Sequence, residues 1–425
     1  MSRPLDAALE GGLQRAVAAR DRAGRAAADR ARTAGAALLA LPPWAQALLV
    51  WAASRLLTTL ITLGVAPWQE ANLWTRAAPG YGAFTADLWD ATWYRSIAEH
   101  GYPLPLPRGE DGAALQSEWA FYPAYPLLVR AIVEVTGGSW QVVAPTTALV
   151  LSGLAAVVLL RLFRAVAAPA PALVGLALVL VFPAAAVLQY AYTESLGLLA
   201  VSAALLALVR RRYAWCAGAV VLLGATRAVA LPLAAVVVVH GLARWRASRT
   251  PVLPADAFGA RSRAAVAALA ALAVAAGLAW PLAVGAVTGE PDAYTQVQAA
   301  WRGGSLTWLL PWWTASQQVL GPLGPLALLL ALAALVWWCT GPRARALGPE
   351  LPTWVLALTG YLLLVLDPWT STVRYWLLQV PLALLLATSV RSRAAGTAWI
   401  VASALLQVVW VAWLWRFTPP SDFAP

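Results

Sequence analysis

Residues 44–65 read Trp-Ala-Gln-Ala-Leu-Leu-Val-Trp-Ala-Ala-Ser-Arg-Leu-Leu-Thr-Thr-Leu-Ile-Thr-Leu-Gly-Val, from Trp44 to Val65. Arg55 is the single charge in this run. As a helix rising ~1.5 Å per residue, such a run reaches ~30 Å, the thickness of a bilayer's hydrocarbon core. Pro43 stands ahead of it, where a helix tolerates proline. The stretch therefore predicts a membrane-spanning helix. Comparable runs follow at Gln141–Phe163, Ala170–Tyr190, Glu194–Leu208, Ala264–Val287, Leu323–Cys339, Thr353–Leu366, Val373–Val390 and Ala398–Trp415, and Tyr213–Ala243 fits a hairpin of two short crossings. The expectation is an all-α polytopic membrane protein of about 11 spans. Composition agrees: 61% hydrophobic, 12% charged and a mean hydropathy of +0.68 exclude an ordinary soluble domain. Many of the 24 Trp lie at the ends of apolar runs, where membrane proteins place amphipathic rings.

The net charge of +11 suggests nucleic-acid binding until its distribution is read. All 30 basic residues are Arg, which with abundant Ala, Gly and Pro looks like coding bias in a GC-rich bacterium. Placing the N-terminus in the cytoplasm puts every short Arg-rich loop on that side. These loops hold Arg161 and Arg164, Arg210–Arg212, Arg244–Arg263, Arg343 and Arg345, and Arg391 and Arg393. With the Arg- and Ala-rich segment 1–43 they carry 21 Arg against 6 acids, and the rest of the chain carries 9 Arg against 13 acids. This is the positive-inside pattern of a plasma-membrane protein, so no nucleic-acid partner is expected. No apolar core follows Met1 at signal-peptide distance, and no cleaved signal is read. The domain reading is a cytoplasmic tail, 1–43, a transmembrane domain, 44–417, and an extracytoplasmic tail, 418–425. The outer loops are 66–140 and 288–320.

The first outer loop contains Asp87-Leu-Trp-Asp90-Ala-Thr-Trp-Tyr94-Arg-Ser-Ile-Ala-Glu-His100-Gly-Tyr102-Pro. Asp87 and Asp90, three apart, share one face if the segment is a single helix. Carboxylates among Trp89, Trp93 and Tyr94 suit sugar chemistry. Rings cover the apolar faces of a sugar, and a carboxylate takes a hydroxyl proton as general base. From composition alone, an interfacial aromatic belt with ordinary solvated acids is the simpler reading of these residues. Downstream, Trp119-Ala-Phe-Tyr122-Pro-Ala-Tyr125-Pro-Leu-Leu-Val-Arg130 predicts a helix lying in the outer interface, because two prolines interrupt any straight span.

Four charges fall within or beside apolar runs: Arg55, Glu194 after Tyr192, Arg227, and Arg374 before Tyr375. An ionisable group at membrane depth costs at least ~2.5 kcal/mol, so such residues pair or face a polar cavity. Arg also suits a phosphate. His240, near the end of a short run, reads as structural. His100 has no companion His or Cys, and Cys216 and Cys339 have no ligand spacing, so neither a metal nor a cofactor is expected. No nucleotide-binding glycine loop appears.

Trp89-Asp90-x-x-Trp93-Tyr94-x-x-Ile97-Ala98-x-x-Gly101-Tyr102 and Phe121-Tyr122-Pro123-x-Tyr125-Pro126-Leu127-Leu128-Val129-Arg130 resemble the PIG-V family of mannosyltransferases. So do Phe182-Pro183, Ala191-Tyr192-Thr193-Glu194-Ser195-Leu196, Thr226-Arg227 and, more weakly, Arg374-Tyr375 with Pro381. The match runs in order from about Trp44 onward. Leu88, Tyr122 and Ala228-Val229 depart from the family's pattern. The resemblance implies a GT-C-type glycosyltransferase fold, a polyprenyl-phosphate mannose donor and a glycolipid or cell-envelope glycan acceptor. It implies Asp90 as catalytic base. Asp87, Trp89, Trp93, Tyr94, His100, Tyr122, Tyr125, Tyr192, Glu194, Arg227, Arg374 and Tyr375 are the expected substrate-binding residues. A transporter or flippase of a lipid-linked sugar is the alternative, because intramembrane charges and broken helices also mark transporters.

Overall fold

The structure is a computed structural model and describes residues 33, 35–249, 258–302, 308–369 and 371–418. Most of the expected tail 1–43, part of the Arg244–Arg263 loop and nearly all of 418–425 lie outside these residues. The chain divides after Gln46, and Ala47–Pro425 forms the larger unit. Its elements are helices. Among the described residues the only β pairing is an isolated bridge between Arg108 and Ala114.

Among the described residues, five helical stretches are long and apolar enough, by length and composition, to cross a membrane: Pro43–Trp68, Trp140–Val166, Ala260–Thr288, Leu310–Thr340 and Arg393–Trp415. The protein is therefore a multi-pass membrane protein. A sixth crossing arises if Pro169–Leu180 and Pro183–Gln189, bent by 78°, count as one. Glu194–Val209, Tyr213–Gly224, Glu350–Val365 and Val380–Ser389 are apolar but shorter. The expected 11 spans thus exceed the helices that reach full length.

The shortfall has local causes. The expected span Ala170–Tyr190 breaks at Pro183, which supplies no backbone N–H and collides with the preceding turn. Val373–Val390 splits into Thr372–Trp376 and Val380–Ser389, with Pro381 in the first turn of the second piece. Residues 310–340 are interrupted at Gly321, at φ 61° and ψ −150°. Gly324 there packs on the backbone of Ser316. Residues eight apart in a straight helix are ~12 Å apart, so the chain folds back. The Leu310–Thr340 stretch is thus two helices, Leu310–Leu320 and Gly324–Thr340, rather than one straight crossing.

Burial sorts the helices. The apolar window of Trp140–Val166 is 61% buried, and those of the other four long helices are 11–28% buried. Those four turn Leu, Val and Trp outward, as lipid allows and water does not. Glu194–Val209 is buried along most of its length. A helix surrounded by protein can be short without exposing backbone to lipid.

Arg55 explains how the broken crossing is tolerated. Its guanidinium donates to the carbonyls of Leu180 (2.6 Å) and Ala185 (2.8 Å), which flank the break. Gln407 donates to the Phe182 carbonyl at 3.1 Å and accepts from Thr58. Carbonyls released where a helix ends inside the bundle need such partners. Arg55→Leu should therefore destabilise the fold by about 2–6 kcal/mol, the sum of two buried carbonyls left unpaired, read as a lowered Tm in detergent. An unchanged Tm would contradict this role.

The 66–140 segment packs on one end of the bundle. It carries the short helices Tyr81–Ala86, Asp90–His100 and Ala124–Thr136. The second loop supplies Ala293–Ala300. Leu106 and Trp119 of the first loop bury against Val284, Ala293 and Val297, and Arg108 pairs with Glu290. Both loops thus form one cap. Elsewhere, His240 Nδ1 lies 2.6 Å from Glu350 Oε1 and its Nε2 3.1 Å from the Tyr213 hydroxyl. That cluster ties three helices together and gives His240 a structural role.

One expectation fails here. Asp87 and Asp90 do not share a helix face. The first short helix ends at Ala86 and the next starts at Asp90, with Trp89 between them at φ 59° and ψ −134°. A positive φ is rare for a bulky side chain and costs ~1–3 kcal/mol. Trp89 is held there by its indole N–H, which donates to the Trp415 carbonyl at 2.7 Å, and by Trp74 and Phe417, whose ring centroids lie 5.3 and 5.2 Å away.

Candidate active site

The turn at Trp89 points Asp90 into a cavity of about 860 Å³ between the cap and the bundle. Asp90 opens its helix, and its backbone N–H donates to the Tyr192 hydroxyl at 3.0 Å. Its Oδ2 accepts from Arg374 at 2.8 Å. The other terminal nitrogen of Arg374 reaches Glu194 Oε1 at 3.2 Å. Arg227 meets the same Glu194 oxygen at 2.6 Å and donates to Thr193 Oγ1 at 3.0 Å. Two acids and two guanidiniums therefore form one chain, Asp90–Arg374–Glu194–Arg227, with no net charge.

Burial differs along that chain. The Glu194 side chain is fully buried and those of Arg374 and Arg227 nearly so, whereas the Asp90 side chain is 15% exposed. Asp90 is thus the carboxylate that a ligand can reach. Tyr192 and Tyr375 cover the guanidinium faces of Arg374 and Arg227 at 4.9 and 4.5 Å, as cation–π geometry favours. Among the described residues, Glu194 Oε2 and the Nε atoms of both arginines have no hydrogen-bond partner.

Trp89, Asp90, Trp93, Tyr94, Tyr122, Arg227, Arg374 and Tyr375 line this cavity. Trp93 stacks on Phe121 at 5.9 Å and meets Trp301 edge-on at 5.5 Å. Other expected residues stand elsewhere. Glu194, Tyr192 and Tyr125 are wholly buried, behind the wall rather than in it. Tyr125 spends its hydroxyl on the Ala144 carbonyl at 2.8 Å. His100 ends its helix exposed, away from the cavity. Asp87 faces a different, smaller cavity. There it accepts from Gln141 and pairs with Arg95 at 3.4 Å. Burial pushes the Asp87 carboxyl above the usual carboxylate range, and the Gln141 and Arg95 contacts oppose that rise.

Tyr294, Gln298, Trp301, Arg302, Tyr361, Asp367 and Ser371 also line the large cavity and were not singled out in the sequence. They come from the second loop and from the ends of two late helices. No motif marks them, and only the docking of the loops brings them to Asp90. Among the described residues no three His, Cys, Asp or Glu side chains gather as a metal-ligand group.

No family model matches the chain, and no curated protein matches it. Among solved structures it is similar to ArnT from Cupriavidus metallidurans bound to undecaprenyl phosphate. That match has 16% identity and a TM-score of 0.48, and it covers 84% of this chain and 63% of ArnT. It is also similar to the archaeal oligosaccharyltransferase AglB from Archaeoglobus fulgidus, in complex with an inhibitory peptide and a dolichol-phosphate. There the identity is 13% and the TM-score 0.46, with 88% of this chain and 56% of AglB covered. The oligosaccharyltransferase of the same organism tethered to an acceptor peptide matches at 15% identity and a TM-score of 0.40, with 86% of this chain and 54% of that one covered. The chain spans little more than half the length of these proteins.

Proposed function

We propose that the chain is an inverting glycosyltransferase of GT-C type, moving mannose from a polyprenyl-phosphate donor to a lipid-linked or cell-envelope acceptor. The observation that carries this is Asp90, an accessible carboxylate on a cavity wall, gripped by an arginine that also faces the cavity. The cavity's aromatic walls suit a sugar, and its place beneath the cap of a membrane bundle suits a lipid-borne one. Its volume lies in the range of pockets that enclose a ligand of that size. The expected orientation puts this end of the bundle outside the bacterial plasma membrane.

The chemistry follows from the ion-pair chain. The acceptor hydroxyl attacks the anomeric carbon of the donor and passes its proton to Asp90. The bond from that carbon to the phosphate oxygen breaks, and its electron pair stays on the phosphate. Attack opposite the leaving group turns a β-linked donor into an α-mannoside. Both arginines are already paired in this structure, so neither is a bare phosphate receptor. Protonation of Asp90 removes the negative partner of Arg374 as the leaving phosphate gains charge. Arg374 then passes from carboxylate to phosphate, and the local charge stays balanced. Electrostatic support timed to the developing charge stabilises the transition state selectively.

Membranes containing the chain should convert polyprenyl-phosphate [3H]mannose into a new labelled product. Arg374→Gln should slow this by roughly 10²- to 10³-fold, the loss seen when one donor to a developing oxyanion is removed. A donor with a better leaving group should recover part of that loss. If transfer is equally slow with both donors, the hand-over is wrong. If the label crosses the bilayer on an unaltered donor, the protein is a flippase.

A further inference from the structure

We propose that the smaller cavity beside Asp87 is a second acceptor subsite, which binds an anionic polyol unit adjoining the hydroxyl that reacts at Asp90. The inference rests on the glycosyl-transfer reading above and names a part of the acceptor that it leaves open. The cavity holds about 510 Å³ and is lined by Trp74, Arg76, Gly80, Gly82, Asp87 and Gln141, among others.

Three observations point to it. First, Trp74 borders both cavities, and its ring packs at 5.3 Å on Trp89 and on Phe417. The two cavities thus adjoin at the Trp74 ring, a surface over which a sugar face can lie. Asp90 lines one cavity and Asp87 the other. Three residues of chain reach at most ~11 Å, within the span of two linked sugar rings.

Second, the segments that carry Trp74 and Phe417 are held in place. The Asn72 side chain accepts from the backbone N–H groups of Trp74 and Thr75 at 2.8 and 3.0 Å. Gln69 donates to the Phe417 carbonyl and accepts from its N–H at 2.8 and 3.0 Å. Such preorganisation lowers the entropy lost when a ligand is ordered.

Third, the lining chemistry is specific. Asp87 keeps free lone pairs beyond its Arg95 and Gln141 contacts, and these accept hydroxyl protons. Arg76 is exposed and has no hydrogen bond or ion pair among the described residues. A guanidinium without a protein partner is open to a bidentate carboxylate or phosphate. Polyol hydroxyls at Asp87 and one negative charge at Arg76 define the ligand. The charge can belong to a uronate of a glycan or to the phosphate of a lipid headgroup.

Gly80 makes the test clean. It lines the cavity, has φ −65°, and a Cβ built there meets nothing within 4 Å. Cys216 and Cys339 are buried, so Gly80→Cys introduces the reactive thiol. Its modification by N-ethylmaleimide should be slowed by methyl α-glucuronide or by glycerol 3-phosphate, and not by neutral methyl α-mannoside. Protection by the glucuronide alone assigns the charge to a glycan, and protection by glycerol phosphate alone assigns it to a headgroup. Arg76→Gln in the same background should weaken protection roughly tenfold, the cost of losing one charge-assisted contact. Labelling that neither anion slows, or that the neutral sugar slows equally, overturns the subsite. This readout needs no turnover, so it stands or falls apart from the transfer reaction.

Discussion

Asp90→Asn is expected to lower transfer by roughly 10²- to 10⁴-fold, the usual contribution of a positioned general base, at unchanged expression and with donor binding retained. Asparagine keeps the shape and the contact distance but cannot take the acceptor proton. The change falls at the one partly exposed member of the ion-pair chain, so folding should suffer little. Asp90→Glu should restore part of the rate, because the carboxylate returns at a displaced position. Removing Asp90 also leaves Arg374 shared only with Glu194, which adds one uncompensated positive charge to the cavity wall. Donor phosphate should then bind as well or better, so a fall in kcat with KM held or lowered is the expected pattern. Equal rates for Asp90→Asn and wild type would remove Asp90 from the chemistry.

Glu194→Gln is expected to cost about 3–5 kcal/mol of stability, the range measured when one partner of a buried ion pair is removed. Glu194 is fully buried and, among the described residues, is the only acid that touches both arginines. Its loss leaves Arg227 without a negative partner and Arg374 with Asp90 alone. Activity of the folded fraction should also fall, because Arg374 then binds Asp90 without competition and yields it less readily to a proton. Glu194→Gln combined with Arg227→Gln removes one charge of each sign and should recover part of the lost stability. Strong non-additivity of that kind is the mark of contacting residues. A Glu194→Gln protein with unchanged Tm and unchanged transfer would take Glu194 out of both roles.

The individual charges were legible in the sequence because membrane depth makes any ionisable side chain conspicuous. Their partnership was not. Arg374 lies 284 residues from Asp90 and 180 from Glu194, and nothing along one chain encodes which charges meet. The sequence left Arg227 and Arg374 open as phosphate ligands or as internal ion pairs, and the folded protein holds both in one ion-paired chain. Arg55 posed the same difficulty: its partners are two carbonyls on either side of the break at Pro183, and carbonyls leave no mark in a sequence. The long apolar runs gave the bundle correctly. Run length alone predicted more long helices than form, because Pro183 and Pro381 break what composition joins. The i, i+3 rule misplaced Asp87 beside Asp90, because it assumes unbroken helix and Trp89 turns the chain between them. That break separates two cavities, which makes the departure the more informative feature.

The most direct test of the glycosyl-transfer reading is the anomeric configuration of the product. Purified protein in lipid nanodiscs would be given β-linked polyprenyl-phosphate [13C]mannose and a membrane-lipid acceptor extract, and the label followed by NMR. An α-linked mannoside formed with one equivalent of polyprenyl phosphate is the result expected of direct displacement assisted by Asp90. A β-linked product, or a donor returned unchanged, would contradict it.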